Sequence, residues 1–279
     1  EGHTVKVIGP DQFISIPTPG YKEIELALFP YRKLVRLIEG FNPDCIHISV
    51  EGPLGWAARK YCKRRGIGFT TSYHTMFPDY LAKRVKKILG RRVAWFVRKM
   101  AIAHVRRFHR PAKATFVATP SLEEQLRLWR FKGTMVRLVR GVDHDVFYPG
   151  KSDLLDRLEG PRMLYVGRVA IEKNIEAFLD MDVAGSKVVV GGGPSLEALR
   201  KKYPDVHSAG VKTGHDLAEY YRASDLFVFP SRTDTFGIVL IEALACGLPV
   251  AGYDVTGPKD IITEAMLGAT DSQLSAAVQ

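Results

Sequence analysis

The apolar residues of the chain fall into short runs that alternate with stretches of helical periodicity. In the first half, these runs predict strands at Thr4–Ile8, Cys45–Val50, Gly68–Ser72, Thr115–Ala118 and Met135–Val139, with helices near 31–41, 53–65, 76–110 and 120–129. Parallel strands need long crossover connections, and helices supply them. The pattern therefore predicts a mostly parallel sheet that is covered on both faces.

A second alternation follows residues 142–160, a stretch rich in Gly, Pro and Asp that is typical of a linker. It predicts strands at Met163–Val166, Lys187–Val190, Leu226–Phe229 and Pro249–Gly252, with helices near 172–180, 195–203, 215–223 and 237–246. We expect an α/β fold of two Rossmann-like domains, residues 1–147 and residues 148–279.

The lengths of the apolar runs, the cysteines and the two chain ends indicate further properties of the protein. No run approaches the roughly 20 apolar residues of a membrane span, and no secretory signal opens the chain, which favours a cytoplasmic protein. The cysteines lack metal-ligand spacing and an even count, so we expect reduced core thiols at Cys45, Cys62 and Cys246. A strand follows Glu1 almost at once, and residues 271–279 look like the start of a helix with nothing to pack on. We therefore expect both ends to be trimmed.

The net charge of +10 is concentrated in one segment. Residues 83–113 hold twelve Lys and Arg and no acid, so the rest of the chain is slightly acidic. The segment also carries Trp95 and a helical stripe of apolar residues, namely Val85, Ile88, Leu89, Val93, Phe96, Met100 and Ala103.

Such a basic amphipathic helix suits an anionic membrane surface, where each basic residue contributes about 1 kcal/mol. A helix whose stripe packs on its own domain is an equally good interpretation. Nucleic acid is less favoured because no nucleic-acid module accompanies the charge.

Two cations follow the first strand of the second alternation. Arg168 and Lys173 come after Met163–Val166, with Gly167 at the strand end. Ligands of open α/β sheets bind outside the carboxyl ends of the strands, and both cations bind phosphate oxygens. The arrangement predicts a diphosphate site, unless the two are surface ion-pair partners.

A glycine turn, Gly191-Gly192-Gly193, follows the next strand. Missing side chains there would let the backbone approach a ligand ahead of a helix. The spacing does not match the G-x-G-x-x-G dinucleotide fingerprint, and a plain turn is the alternative.

An acidic pair, Asp234 and Glu242, follows the strand Leu226–Phe229 with seven residues between its members. If Asp234 or Thr235 caps the next helix, three free amides point at a ligand oxygen. These amides belong to Phe236, Gly237 and Ile238. Glu242 would then lie roughly 10 Å further along, where a carboxylate can accept both hydroxyls of a ribose. A simple cap and a paired helix carboxylate are the alternatives.

Together these phrases resemble the donor domain of the retaining GT-B glycosyltransferases, a family that includes bacterial phosphatidylinositol mannosyltransferases and sulfoquinovosyl-type lipid glycosyltransferases. The resemblance is carried by residues 167–173, 191–194 and 230–250, with further matching phrases at 51–66, 70–75, 117–121 and 140–149. It implies two domains that face a cleft. The family's E-x7-E motif begins here with Asp234, one methylene shorter.

The resemblance also implies residue roles. Arg168 and Lys173 would bind the donor diphosphate, Glu242 the ribose, and Asp234 with the amides of Phe236 and Gly237 the transferred sugar. The family's active-site histidine falls at His74, for which capping the next helix is the alternative. Glu51, before Gly52-Pro53, is a candidate for orienting the acceptor or simply a turn residue.

The implied chemistry is a retaining hexosyl transfer with no metal and no other cofactor. No protein nucleophile is assigned. The leaving diphosphate takes the acceptor proton on the same face, while Arg168 and Lys173 stabilise its charge. Family members also have an initial strand with a glycine-rich loop and returning C-terminal helices, which this sequence lacks, so activity of the segment alone is left open.

The favoured function is transfer of a hexose from GDP-mannose or a UDP-sugar to a lipid or glycan acceptor, at the inner face of the membrane if residues 83–113 bind it. A truncated or inactive sugar-nucleotide-binding module is the alternative. A sugar epimerase, which would turn over without acceptor, is less favoured because the donor phrases resemble transferases.

Overall fold

The structure, a computed structural model, describes residues 2–18, 21–74 and 76–279, with the side chains of residues 21–24, 80, 84 and 87 left aside. The chain divides into two compact units, Glu1–Ala118 with Glu123–Leu138 and Thr119–Leu122 with Val139–Gln279. The last division between the two units, between Leu138 and Val139, thus precedes the predicted boundary between residues 147 and 148. Each unit has its own parallel sheet, which confirms the α/β fold class.

The first unit contains, in its described part, four parallel strands in sequence order and a separate antiparallel pair. Helical crossovers place each of these strands beside the previous one. The elements are β1 (Ser15–Thr18), β2 (Tyr21–Ala27), α1 (Tyr31–Phe41), β3 (Ile46–Ile48), α2 (Pro53–Arg65), β4 (Phe69–Ser72), α3 (Phe77–His109), β5 (Ala114–Val117), α4 (Pro120–Leu128) and β6 (Met135–Arg137).

The helix ends of this unit follow from their local sequence. Pro53 opens α2, where a missing amide hydrogen costs nothing. Asn42 and Gly66 end α1 and α2 in the left-handed conformation. The predicted helices at 31–41 and 53–65 are confirmed. Their apolar faces close a core over the sheet, formed by Leu34, Ile38, Ile48, Ala57, Tyr61, Cys62, Phe69 and Phe108.

The strand predicted at Thr4–Ile8 is wrong. Residues 2–9 are irregular, and the side chains of Val5 and Val7 are each 79% exposed. Alternating apolar residues become a strand only when a neighbouring strand pairs with them. The chain instead forms the hairpin of β1 and β2, which the sequence analysis did not predict.

The second unit has a six-stranded parallel sheet in the order β12-β11-β10-β7-β8-β9. The chain winds outward from β7 in one direction and from β10 in the other, so the switch point lies between these neighbours. The elements are β7 (Arg162–Val166), α5 (Glu176–Leu179), β8 (Ser186–Val190), α6 (Leu196–Lys202), β9 (His207–Gly210), α7 (Gly214–Arg222), β10 (Leu226–Phe229), α8 (Ile238–Ala245), β11 (Val250–Tyr253), α9 (Pro258–Ile261), β12 (Gly268–Asp271) and α10 (Leu274–Val278).

Alternate side chains of these strands fill two cores. Leu164 and Val166 point into one core with α7 and α8, while Met163 and Tyr165 point into the other with α5 and α10. Both faces of the strands are therefore apolar, as expected for a parallel sheet covered on both sides. The loops at the carboxyl edge are fixed by rigid strands.

Three details correct the predictions for this unit. The helix predicted near 172–180 is split by Asn174, a left-handed residue between a 3₁₀ turn (Ile171–Lys173) and α5. The strands β9 and β12 were missed. The last segment does have something to pack on, because Leu274 and Ala277 of α10 are buried beside β11 and β12.

Candidate functional site

An ion pair lies at the switch point of the second sheet. Lys173, after β7, donates from Nζ to Oδ1 of Asp234, after β10, at 2.6 Å. Their side chains are only 24% and 15% exposed. The structure therefore brings together a cation and an acid that the sequence analysis placed in one site, and it does so at the edge where open α/β sheets bind ligands.

Arg168 lies in the same loop as Lys173, two residues after β7. The Tyr165 hydroxyl, buried under the loop, donates to the Arg168 carbonyl at 2.8 Å and holds the turn. Atoms Nε and Nη2 of Arg168 are buried. Burial raises the pKa of Tyr165, and the charges of Asp234 and Glu172 raise it further, so the phenol stays a hydrogen-bond donor.

Two buried oxygens of the loop after β10 face no donor. Within the described ranges, Asp234 Oδ2 and Ser231 Oγ lack a hydrogen-bond partner. Nearby, the side-chain amide of Asn174 donates to the Pro230 carbonyl at 3.0 Å and ties the loops after β7 and β10 together. Buried polar atoms are normally hydrogen-bonded. An unbonded, buried carboxylate oxygen at the edge where open α/β sheets bind ligands therefore indicates a position for a ligand donor.

The helix after this loop starts later than one of the predictions assumed. α8 begins at Ile238, its N-cap is Gly237 in the left-handed conformation (φ 92), and no side chain caps it. Neither Asp234 nor Thr235 is therefore the N-cap. Thr235 and Phe236 are buried in the loop, and Ile238 is 47% exposed. Because Glu242 is only four positions after Ile238, the carboxylate is about 6 Å along the helix from its start.

Glu242 is held by a tyrosine. Tyr221 of α7 donates from its hydroxyl to Oε2 of Glu242 at 2.8 Å. Burial raises the pKa of Glu242, and the bond from Tyr221 opposes that rise because it favours the carboxylate. Glu242 was recognisable in the sequence as a member of the acidic pair, whereas Tyr221 lies on a different helix and gave no signal in the sequence.

The glycines after β8 have a packing role. A Cβ on Gly191 would lie 1.9 Å from the Gly167 carbonyl oxygen, and one on Gly193 would lie 2.4 Å from the Val169 carbonyl oxygen. Gly191 also has φ +143, which strains other residues. The glycines thus let the loops after β7 and β8 approach each other closely.

In the first unit, Glu51 ends a buried chain of hydrogen bonds. Its Oε1 lies 3.0 Å from Nε2 of His109, and Nδ1 of His109 lies 2.8 Å from the Thr71 hydroxyl, which reaches Thr115 at 3.0 Å. The His109 side chain is 1% exposed and that of Glu51 is 23% exposed. His109 was overlooked in the sequence because it lies inside the basic segment.

His74 lies at the same carboxyl edge as Glu51, because it follows β4 and Glu51 follows β3. His74 is exposed. Tyr73, by contrast, is fully buried and packs edge-on against His109 at 5.9 Å between ring centroids. The edge therefore presents one exposed histidine and one acid backed by a second, buried histidine.

The basic segment forms a broken helix whose predicted stripe faces solvent. α3 is interrupted at Gly90 (φ 79, ψ 177), which corrects the single helix predicted at 76–110. The core is contacted by another face, with Ala94, Ala101, Val105 and Phe108. The exposed fractions are 80% for Ile88, 61% for Leu89, 41% for Val93, 60% for Trp95, 59% for Phe96 and 57% for Met100. Across the described residues, no helix is both long and apolar enough to span a bilayer.

Comparison with known protein families covers both units. Residues 1–168 match the family model described as Glycosyltransferase Family 4, and residues 160–278 match the one described as Glycosyl transferases group 1.

Two curated relatives and one solved structure show similar coverage. A sulfoquinovosyl transferase of Arabidopsis thaliana is 30% identical over 97% of this chain and 54% of its own length. A GDP-mannose-dependent alpha-mannosyltransferase of Mycobacterium tuberculosis is 31% identical over 84% of this chain and 61% of its own. A sucrose-phosphate synthase from Thermosynechococcus elongatus superimposes with a TM-score of 0.70 at 24% identity, over 90% of this chain and 69% of that one. The chain thus spans between half and two thirds of the length of the two curated relatives.

Replacement of Gly191 by Ala should lower the free energy of unfolding by about 1–3 kcal/mol, because the methyl group meets rigid backbone and φ is unfavourable. Gly141→Ala is the matched control, since no atom lies within 4 Å of its added Cβ. Urea denaturation of both variants measures the difference. Equal stabilities would contradict the loop-joining role of Gly191.

Proposed function

The chain belongs to Glycosyltransferase Family 4, and from that premise we propose that it acts as a retaining GT-B hexosyltransferase with a nucleotide-diphosphate sugar as donor. The acceptor is a lipid or a glycan. The proposal rests mainly on the contact of Lys173 with Asp234 at the switch point between β7 and β10.

A diphosphate fits beside this pair. Arg168 and Lys173 follow the same strand and supply a planar fork and a point charge, the two groups that proteins use most for phosphate. Asp234 keeps the Lys173 ammonium in place by a short bond. A bound diphosphate would then share that ammonium with the carboxylate.

The sugar and the ribose have acidic partners. A sugar hydroxyl would donate to Asp234 Oδ2, which is buried and has no donor in the described part of the chain. The Glu242 carboxylate, positioned by Tyr221, would accept hydroxyls of the ribose. Phe236, Gly237 and Ile238 lie between the two acids, where their amides would face the sugar.

The transfer step retains the configuration at the anomeric carbon. The bond between that carbon and the diphosphate oxygen breaks as the acceptor oxygen attacks from the same face, and the acceptor proton passes to the departing diphosphate oxygen. Arg168 and Lys173 stabilise the charge of the leaving group. No resident metal or cofactor takes part in this proposal.

The acceptor is assigned to the first unit. Glu51 would orient an acceptor hydroxyl, with His109 holding its carboxylate, and His74 would contact the donor sugar or the reacting centre. The names of the two curated relatives support a hexose or modified hexose as the transferred group, and one of them supports GDP-mannose as the donor. A UDP-sugar is the other candidate.

A membrane surface is proposed as the place of transfer. The exposed aromatic and aliphatic residues of α3 lie on a segment, residues 83–113, whose sequence has twelve Arg and Lys and no acid, as in helices that bind the interface of an anionic bilayer. Arg98 does not belong to this set, because it donates to Asp79 at 2.7 Å. Arg92 and Lys99 are exposed.

Lys173→Ala should weaken binding of GDP-mannose or UDP-glucose by at least about tenfold, because it removes a charge-assisted bond to the diphosphate. Calorimetry measures the affinity, and circular dichroism confirms the fold. Lys201→Ala, an exposed lysine of α6, is the matched control. Unchanged affinity in the Lys173 variant would refute the diphosphate assignment.

The companion Asp234→Asn should separate the sugar from the diphosphate. Affinity for the nucleotide sugar falls, while affinity for the nucleoside diphosphate is kept.

Transfer of the sugar to a lipid extract tests catalysis by the unaltered chain. Binding of the nucleotide sugar without transfer or hydrolysis would favour a sugar-nucleotide-binding module instead.

Donor affinity should fall as the pH drops through the pKa of Glu242, because the ribose binds the carboxylate form. Tyr221→Phe removes the bond that lowers this pKa, so the loss of affinity moves to higher pH. Calorimetry over a pH series measures the midpoint, with Tyr220→Phe on the same helix as control. A midpoint that does not move would rule out this coupling.

Arg92→Glu with Lys99→Glu should reduce binding to phosphatidylglycerol vesicles by more than about tenfold, since each basic residue contributes about 1 kcal/mol. Lys132→Glu with Arg137→Glu changes the charge equally on another exposed part of the unit. A flotation assay measures binding. The membrane proposal fails if the unaltered protein does not float with anionic vesicles.

A further inference from the structure

A cavity in the first unit lies among aromatic and basic side chains. It has a volume of about 620 Å³ and is bounded by the start of α1 and one side of α2. Its lining contains Tyr31, Pro53, Trp56, Ala57, Arg59, Lys60, Lys63 and Arg64. None of the candidate donor or acceptor residues lines it, so its ligand would be a different one.

The charges of this cavity repel one another. Arg59 and Lys63 are four residues apart, as are Lys60 and Arg64, so both pairs place like charges on adjacent turns. Among the residues that the structure describes, no carboxylate forms an ion pair with any of these four cations. A helix that keeps four such cations on one side is stabilised by an anion.

The side chains are nevertheless held in place. Lys60 Nζ and Arg64 Cζ lie 4.9 and 5.5 Å from the centre of the Tyr31 ring, and Arg64 donates to the Tyr31 hydroxyl at 3.4 Å. An aromatic face attracts a cation but leaves its formal charge in place. The cations therefore lose rotamer freedom before a ligand arrives, which reduces the entropy cost of binding.

Arg59 occupies the inner end. It donates to the carbonyls of Phe108 and Arg107 at 2.9 and 2.8 Å, and its guanidinium lies 4.8 Å from the Trp56 ring centre. Burial and the neighbouring charge of Arg107 lower the pKa of Arg59. Its environment therefore has an excess of positive charge that backbone carbonyls only partly offset.

We propose that this cavity binds a phosphate group. The guanidinium of Arg64 offers a planar fork and the two lysines offer point charges, which is the donor set that phosphate monoesters and diphosphates require. The phosphate is that of a small soluble anion or that of a lipid headgroup. The second source has a structural route, because Trp56 donates to His104 of α3 at 3.0 Å and so joins the cavity to the exposed face of that helix.

The test compares two double variants with the same change of charge. Lys60→Gln with Arg64→Gln alters the cavity, and Lys132→Gln with Arg137→Gln alters exposed residues elsewhere in the unit. Both are made in the Lys173→Ala background, which removes the proposed donor site as a second place for phosphate. Thermal midpoints confirm that both variants fold.

Calorimetry with inorganic pyrophosphate and with phosphatidylcholine vesicles, with and without phosphatidic acid, reads out the two sources. We expect the cavity variant to bind one of these probes at least about tenfold more weakly than the control variant binds it. Weakening with pyrophosphate assigns a soluble phosphate, and weakening only with phosphatidic acid vesicles assigns a headgroup. Equal affinities of the two variants for both probes would overturn the proposal, whatever the result at Lys173.

Discussion

The second unit depends on one constraint. The loops after β7 and β10 must meet at the switch point, where the strand order runs away from these two neighbours in opposite directions. The strands β7 and β10 are neighbours, yet about 60 residues of chain lie between Lys173 and Asp234, whose side chains meet at 2.6 Å. The bond of Asn174 to Pro230 fixes the same two loops through a backbone carbonyl. Because the apolar cores on both faces fix the strands, the charged groups gain a defined separation without a packing role of their own.

The first unit solves a related problem by burying a polar chain. Glu51, His109, Thr71 and Thr115 are linked end to end, and only Glu51 reaches solvent appreciably. Buried polar groups are tolerated when each has a partner, and such a chain then rigidifies the residue at its exposed end. The acid at the edge of this sheet is therefore an oriented group, in contrast to an acid that merely shapes the turn before Gly52.

Much of the fold was predictable because periodicity reports burial. The helices α1 and α2 were predicted at 31–41 and 53–65 from their periodicity, and the strands β7, β8 and β10 followed from apolar runs. Short, weakly apolar strands such as β9 and β12 gave no comparable signal, because their sheet neighbours decide their state. The strand predicted at Thr4–Ile8 was wrong because its alternating apolar residues do not pair with a neighbouring strand. Among the site residues, Asp234 and Glu242 were visible in the sequence, whereas Tyr221 and His109 are recognisable only by what they touch.

The break at Gly90 has a consequence for how α3 can meet a flat surface. A straight helix of the 33 residues in α3 would be about 50 Å long and would follow one line. Gly90, with a left-handed φ of 79, interrupts the helical backbone conformation and divides that length into two shorter helices that meet at a kink. Ile88 and Leu89 therefore lie on the helix before the break and Trp95 and Phe96 on the helix after it, so the two exposed apolar groups belong to helices that meet at a kink.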